Sequence, residues 1–247
     1  MFASVAAARA WLHGSSGAVV SGAADVTLPR LTYFDGRGRA EAVRFVFGLA
    51  GAGFTERFVR NRADWEGVFS EMPYGQLPLL EDGALVMGQS MACCRYVARK
   101  HGLYGDGSAT LAALVDMHAD SAIDFYNSGL IGYAFNLDRD KAVASCQKYL
   151  PRFEAALKAN RARTGEAVLA GTTATYADAV LLMAVLSAVE LVPSALEGRP
   201  ELRRWKAEME SIPTVANFLR SDRRKPSPTD EAIRVKYKHE VNVSMGR

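Results

Sequence analysis

A short stretch near the start of the chain combines a tyrosine and two arginines with the beginning of a helix. Residues 31–39 read LTYFDGRGR and lead directly into an apolar-periodic segment at 40–50. This pattern predicts a strand, a glycine-containing turn and a helix. Tyr33, Arg37 and Arg39 would then gather where free backbone N–H groups and the helix dipole favour an anion. We therefore expect a binding site for a negatively charged group.

Tyr33 is the first candidate for chemistry. Its hydroxyl can donate a hydrogen bond to a thiolate or an oxyanion, and Arg39 can add positive charge beside it. The structural alternative is a tyrosine that packs in the sheet with its hydroxyl in solvent. In that case Arg37 and Arg39 belong to an exposed loop and pair at the surface with Glu41.

Two further segments carry possible ligand-binding groups. Leu77-Pro78 stands at the start of a predicted strand, where proline is tolerated at an edge or in a turn. If that bond is cis, the backbone N–H and C=O of Leu77 are offered to a peptide-like ligand. Gln89-Ser90 precedes a helix, so free N–H groups could receive a ligand carboxylate there. Simple capping of the helix by Ser90 remains the alternative.

Composition excludes several classes of function. The chain has 247 residues, a net charge of +3 and 49% apolar residues, which fits one large or two small globular domains. Basic residues are spread along the chain, so the concentrated basic patch of a nucleic-acid-binding protein is missing. No apolar run approaches the roughly 18–20 residues that span a bilayer. We expect no partner among nucleic acids or membranes.

The cysteines and the N-terminal segment each allow two interpretations. Cys93, Cys94 and Cys146 form neither a disulfide framework nor a zinc set, and the adjacent pair fits packing in a helix better than redox chemistry. Residues 1–28 are rich in Ala, Ser and Gly and carry no acidic residue before Asp25. We interpret them as a disordered extension, with an organellar targeting peptide as the alternative.

The order of predicted elements indicates two domains. Residues 29–105 alternate strand and helix as βαβαββα, the thioredoxin-like arrangement, and residues 109–247 read only as helices. The glycine-rich segment at 102–108 is the natural linker. Thr175 and Asp178 have the spacing of a helix capping box, although a catalytic role for Asp178 is the alternative. The predicted fold class is thus an α/β thioredoxin-like domain followed by an all-α domain.

Four motifs together resemble one known family. The segments YFDGRGRAE at 33–41, GQLP at 75–78, Gln89-Ser90 and TYAD at 175–178 are similar, in the same order, to those of a cytosolic glutathione S-transferase of a tyrosine type. The likeness covers the chain from Pro29 to its end. Asp64-Trp65 resembles the sigma class, whereas the long C-terminal tail resembles the alpha class.

The resemblance implies roles for particular residues. Tyr33 would hold the glutathione sulfur as a thiolate, and Arg39 would assist electrostatically. The residues implied to bind the rest of glutathione are Trp65, Gln76, Leu77, Pro78, Gln89 and Ser90, joined by Asp124 and Lys148 across a dimer interface. Tyr74 would be the dimer-locking aromatic. In these classes a Lys or Arg binds the glycine carboxylate, but Val68 and Phe69 stand at the aligned positions, so Arg60 or Arg62 would have to substitute.

The resemblance also implies an activity. We expect a cytoplasmic, homodimeric detoxification enzyme without a metal that conjugates glutathione, its co-substrate, to small apolar electrophiles, with peroxidase activity as a further possibility. A glutathione-dependent isomerase of the prostaglandin D synthase kind is one alternative. A non-catalytic ligand carrier or crystallin-like structural protein is another. The acceptor site would be formed by Phe34, Gly38, Ile131, Phe135, Val241 and Val243.

Overall fold

A computed structural model describes residues 28–246. The predicted N-terminal extension, apart from Leu28, lies outside the described residues. The first unit contains a four-stranded sheet and three helices in the predicted order. Its strands are β1 (Arg30–Phe34), β2 (Thr55–Val59), β3 (Leu79–Asp82) and β4 (Leu85–Gly88), and its helices are α1 (Ala40–Ala50), α2 (Arg62–Phe69) and α3 (Ser90–Lys100).

The strands are arranged in the order β2-β1-β3-β4. β1 is parallel to β2 because α1 makes the crossover between them, and it is antiparallel to β3. β3 and β4 form the predicted hairpin across Gly83, whose positive φ of 60° suits a tight turn. This topology places the C-terminal end of β1, where Tyr33 and Phe34 lie, beside the start of α1.

The second unit consists of helices throughout the described residues. Its helices are α4 (Ala109–Phe125), α5 (Tyr133–Asn136), α6 (Arg139–Thr164), α7 (Tyr176–Leu191), α8 (Pro200–Ser211), α9 (Pro213–Arg220) and α10 (Glu231–Ser244), with a π-helical turn at Tyr126–Leu130 and a 3₁₀ turn at Pro193–Leu196. The sequence predicted one helix over 111–130, but the last five residues widen into the π turn. The short helix α5 was not predicted.

Helix α7 forms the centre of the second unit. Nearly all of its side chains are buried, and it packs against α4 as well as against α1 of the first unit. The predicted capping box begins this helix, because the Asp178 carboxylate accepts from the N–H of Thr175 at 2.9 Å. Asp178 also accepts from Leu169 N–H and from the Trp205 indole, so its carboxylate has a structural role.

A C-terminal segment returns to the first unit. Helix α10 contacts α2 and the strands β1 and β2. The connection before it, residues 221–230, is held by ion pairs: Lys225 Nζ lies 3.5 Å from Asp35 and 3.4 Å from Glu56. The loop after β1 and the strand β2 are therefore linked to the segment before α10. In the described part of the chain, no helix is long and apolar enough to cross a membrane.

Candidate active site

One cleft of about 380 Å³ lies at the junction of β1, the segment before β3 and the start of α3. Eight residues that the sequence singled out line this cleft together: Tyr33, Arg39, Trp65, Gln76, Leu77, Pro78, Gln89 and Ser90. Because they come from four separate parts of the first unit, only the sheet topology brings them together. Phe34, Gly75 and Met245 complete the lining.

Tyr33 is a buried residue in the lining of this cleft. Its side chain is only 7% exposed, and its oxygen accepts a hydrogen bond from the backbone N–H of Arg39 at 3.0 Å. Burial raises the pKa of Tyr33 above its ordinary value of 10, although the Arg39 N–H acts in the opposite direction. Tyr33 therefore keeps its proton near neutral pH and can donate it to an anion.

The two arginines of the opening motif have different surroundings. Arg39 is exposed and lines the cleft. Arg37 is buried and points to the second unit, where its guanidinium binds the Glu190 carboxylate. The expectation that both arginines flank the anion site is therefore wrong for Arg37, and so is its suggested surface pair with Glu41. Glu41 instead pairs with the fully buried Arg44.

Two further segments, Leu77-Pro78 and Gln89-Ser90, line the same cleft as Tyr33. The Leu77–Pro78 bond is cis. Gln89 adopts a φ of +66° just before α3, a conformation that is uncommon for a non-glycine residue and that is found preferentially at functional sites. Ser90, the first residue of α3, is 9% exposed, and Gln89 donates a hydrogen bond to Gln76 at 3.3 Å. The start of α3 thus presents N–H groups and a hydroxyl to the cleft.

Among the described residues, Arg39 is the only cationic residue that lines the cleft with Trp65. The Trp65 ring stacks on Phe34 with centroids 6.1 Å apart. Arg60 binds Asp35 at 2.9 Å, and Arg62 binds Glu66 at 2.7 Å. Neither arginine lines the cleft, so the suggested substitution of Arg60 or Arg62 for the missing basic residue has no support in this geometry.

Two predicted ligand-binding residues are outside the cleft. Asp124 lies exposed on α4, and Lys148 lies exposed on α6 with its ammonium 4.7 Å from the centre of the Tyr149 ring. This placement is compatible with the predicted role across an interface and excludes one within the same chain. Tyr74 is 70% exposed.

A second, smaller cavity is lined by residues 35–38, between Phe34 and Arg39 of the cleft lining. It measures about 40 Å³ and is enclosed by the loop at 36–38, the π turn, residues 226–228 and α10. Of the predicted acceptor-site residues, Gly38 and Ile131 line this cavity, whereas Phe34 lines the cleft. Phe135, Val241 and Val243 line neither of these two spaces. The Phe135 ring packs on Tyr237 instead, at 5.8 Å between centroids.

Sequence reasoning missed two tyrosines of this region. Tyr126 begins the π turn and Tyr237 lies on α10; both are buried and both line the small cavity. The sequence indicated a helix near 229–241, but no local pattern shows which of its side chains faces Tyr33. Within residues 28–246 no cluster of three or more His, Cys, Asp or Glu side chains could hold a metal ion.

The three cysteines are buried. Burial raises the pKa of Cys93 to about 12 and of Cys146 to about 11, and it raises the pKa of Cys94 as well. A thiol with such a pKa carries almost no thiolate near neutral pH, so the packing interpretation of the cysteine pair holds.

Comparison with known proteins identifies relatives over most of the chain. Residues 29–99 match the family model "Glutathione S-transferase, N-terminal domain", and residues 130–213 match "Glutathione S-transferase, C-terminal domain". Glutathione S-transferase alpha-4 of Rattus norvegicus is 34% identical over 84% of this chain and 95% of its own length.

Solved structures are similar as well. The glutathione S-transferase of Ascaris lumbricoides is 30% identical, covers 81% of this chain and 99% of its own, and superposes with a TM-score of 0.69. A glutathione S-transferase of the hookworm Necator americanus, described as monomeric, is also 30% identical and has a TM-score of 0.66 over 78% of this chain and 96% of its own.

Proposed function

This chain belongs to the glutathione S-transferase family, with relatives of the alpha class, and we propose that it activates glutathione through the Tyr33 hydroxyl. The family membership makes it a transferase that conjugates glutathione to electrophiles. Its relatives are named as transferases, which disfavours the isomerase and structural-protein alternatives. What remains to be assigned is which residues perform the reaction.

The observation that carries the proposal is that Tyr33, whose pKa is raised by burial, lines the cleft. A free thiol with a pKa near ~8.5 is only a few per cent ionised at neutral pH. A hydrogen bond from Tyr33 stabilises the thiolate relative to the thiol, and the proton leaves to solvent. The thiolate then attacks the electrophile: on a chlorinated nitroaromatic acceptor a C–S bond forms and chloride departs. Arg39, which also lines the cleft, would stabilise the negative charge of the thiolate.

The rest of glutathione would bind to the other residues that line the cleft. The cysteinyl backbone would pair with Leu77 beside Pro78, and the γ-glutamyl carboxylate would meet Gln89 and Ser90 at the start of α3. Gln76 supports Gln89, and the Trp65 indole N–H is the group available to the glycine carboxylate. The electrophile would occupy the small cavity, whose 40 Å³ has room for only about three water molecules. The acceptor must therefore displace part of segment 226–228 or of the start of α10.

We also propose a cytoplasmic homodimer. The exposed apolar side chains Tyr74 and Met117 and the position of Asp124 and Lys148 outside their own cleft support a partner that covers this surface. The partner's copy of Asp124 would reach the γ-glutamyl amine, and its copy of Lys148 would add a charge nearby. A site completed by two chains makes glutathione affinity depend on assembly.

The experiment is glutathione conjugation to a chlorinated nitroaromatic acceptor by the full chain. Hydrogen bonds to charged groups contribute about 1.5–3 kcal/mol, so Tyr33→Phe should lower kcat/KM by about 10- to 100-fold while the protein stays on a glutathione affinity column. Tyr96→Phe is the matched control, because it removes a phenol whose hydroxyl donates to Asp82 at 2.8 Å outside the cleft. Equal activity of Tyr33→Phe and wild type would refute the assignment.

A further inference from the structure

Three side chains in the lining of the small cavity hold hydrogen-bond donors that no residue within 28–246 uses. They are Tyr126 in the π turn and Arg234 and Tyr237 on α10. Both tyrosines are more than nine-tenths buried, and neither hydroxyl forms a hydrogen bond with a described residue. A buried hydroxyl without a partner is costly, so these groups favour a ligand that accepts hydrogen bonds.

The guanidinium of Arg234 has only a weak partner. Within the described part of the chain it forms one ion pair, at 3.6 Å, with Glu231 in the preceding turn of the helix. Glu231 is 84% exposed, whereas the Arg234 side chain is 15% exposed. An exposed ion pair contributes little, because solvent screens it. The charge of Arg234 is therefore available to a negatively charged ligand in the cavity.

The two carboxylates in the same lining, Asp35 and Glu190, are already occupied. The Glu190 carboxylate accepts four hydrogen bonds, which fill its lone-pair sites. Its donors are Arg37, Arg224 and Ser227. Asp35 accepts two hydrogen bonds from Arg60 and lies 3.5 Å from the Lys225 ammonium. Each acidic group thus has at least two basic partners, so the lining as a whole does not repel an anion.

The cavity adjoins the Tyr33 hydroxyl at Gly38. Gly38 belongs to the lining of the cavity. A Cβ on Gly38 would lie 2.5 Å from the Tyr33 hydroxyl and 2.7 Å from the Tyr237 hydroxyl. The hydroxyl proposed to hold the glutathione sulfur and one of the unused donors therefore lie against the same glycine. A molecule that reacts with the sulfur can also reach the cavity.

We propose that the acceptor of this transferase carries a carboxylate, which the Tyr126 and Tyr237 hydroxyls and the Arg234 guanidinium bind in the small cavity. This inference rests on the proposed function and names the class of its acceptor. A carboxylate offers two oxygens to several donors at once, and charge-assisted hydrogen bonds are the strong ones. Its three heavy atoms suit a space of 40 Å³, which has room for about three water molecules.

The carboxylate takes no part in the bond changes of the reaction. The thiolate forms the C–S bond at the electrophilic carbon, and the leaving group departs with the electron pair of the bond that breaks. The body of the acceptor contacts the apolar side chains of the same lining, Leu130 and Ile131 among them. The three donors therefore determine specificity by holding one end of the acceptor while the other end meets the sulfur.

The test compares two acceptors that differ by one charge, a chloronitrobenzoate and its methyl ester. For each, kcat/KM is divided by the rate constant of the uncatalysed reaction with glutathione, which corrects for intrinsic reactivity. Hydrogen bonds to charged groups are strong, so the wild-type chain should prefer the acid by about tenfold or more. Arg234→Gln should remove most of this preference and leave conjugation of the ester unchanged, whereas Arg234→Lys keeps the charge and should retain part of the preference.

Tyr126→Phe and Tyr237→Phe each remove one donor and keep the ring, so each should lower the acid-to-ester ratio several-fold. Two controls alter similar groups outside the cavity. Lys238→Gln removes a charge from the same helix, where the exposed Lys238 donates to the Phe135 carbonyl at 3.1 Å. Tyr96→Phe removes a phenol hydroxyl that donates to Asp82. Both controls should keep the wild-type ratio.

The outcomes separate this inference from the proposed function. The carboxylate site is overturned if the corrected ratio is near one in wild type, if Arg234→Gln leaves the ratio unchanged, if Lys238→Gln lowers it as much, or if Arg234→Gln slows acid and ester alike. Each of these results leaves the role of Tyr33 standing. Ester conjugation at the same rate in wild type and Tyr33→Phe refutes the role of Tyr33 instead, whatever the acid-to-ester ratio.

Discussion

Arg37 and Glu190 join the loop after β1 to the last turn of α7. The guanidinium makes two hydrogen bonds to the carboxylate, at 2.6 and 3.1 Å, and its Nε donates to the Lys225 carbonyl at 2.8 Å. Arg224 and Ser227 bind the same carboxylate. The Glu190 carboxylate therefore links the turn at residues 35–38 to the segment that leads into α10.

Removal of the Glu190 charge should destabilise the packing of the turn at residues 35–38 against the segment before α10. Glu190→Gln leaves the buried Arg37 without its counter-charge, and breaking a largely buried pair costs about 3 kcal/mol. We expect a lower Tm, measured by thermal unfolding, together with reduced conjugation because the segment above Tyr33 is less well held. Glu66→Gln is the control, since it breaks the exposed pair with Arg62 and should change Tm little.

The difference in stability between wild type and Glu190→Gln should depend on pH. Burial alone would raise the pKa of Glu190, but the bonds and charge of Arg37, with Ser227 and Arg224, lower it below the ordinary 4.5. A carboxylate whose folded-state pKa is depressed stabilises the fold above pH 4.5 and loses that contribution as the pH falls through its folded-state value. The Tm difference between wild type and Glu190→Gln should shrink below pH 4.5. A difference that grows on acidification would contradict this reading of the pair.

Ser90 should affect glutathione binding more than turnover. Loss of a hydroxyl that donates to a carboxylate costs about 1.5–3 kcal/mol, so Ser90→Ala should raise the KM for glutathione by about tenfold or more. kcat should change little, because the carboxylate is equally charged in the ground and transition states. Ser108→Ala tests capping alone: its hydroxyl accepts from Leu111 N–H at the start of α4, and its loss should lower stability by about 1 kcal/mol without a change in KM.

Asp124 should link glutathione affinity to assembly. If the partner's copy reaches the ligand, Asp124→Asn raises the KM for glutathione without changing the sedimentation coefficient, whereas Tyr74→Ala weakens the dimer and raises KM only at low protein concentration. Sedimentation velocity measures the oligomeric state of each variant, and steady-state kinetics measure its KM for glutathione. A fully active wild-type monomer, the state described for the Necator relative, would disprove the dimer and the roles of Asp124 and Lys148.

The cysteines should be unreactive in the folded protein. Because burial raises the pKa of Cys93 to about 12 and of Cys146 to about 11, and raises that of Cys94, a thiol reagent at mildly alkaline pH should label none of the three until denaturant is added. Mass spectrometry counts the labels, and the denatured chain supplies the positive control. Rapid labelling of Cys93 or Cys94 without denaturant would revive the redox interpretation.

Local patterns determined much of the first unit and the start of α7 in the second. The strand, turn and helix around Tyr33, the hairpin at Gly83 and the capping box at Thr175 follow from periodicity, turn residues and N-cap chemistry. These are interactions between neighbours in the chain, so the sequence alone was enough to predict them. Six of the eight cleft residues belong to such local motifs, whereas Trp65 and Gln76 were named only because the chain resembles glutathione S-transferases.

The tertiary structure decided where side chains point when their partners lie far along the chain. Arg37 and Arg39 are two residues apart, yet one binds Glu190 and the other lines the cleft, because only Arg37 meets a partly buried carboxylate on α7. Tyr237 reaches the turn at Gly36 only after α10 has packed against the first unit. Local periodicity predicts that a helix forms, but the burial of its apolar face against a distant surface determines which of its side chains meets that turn.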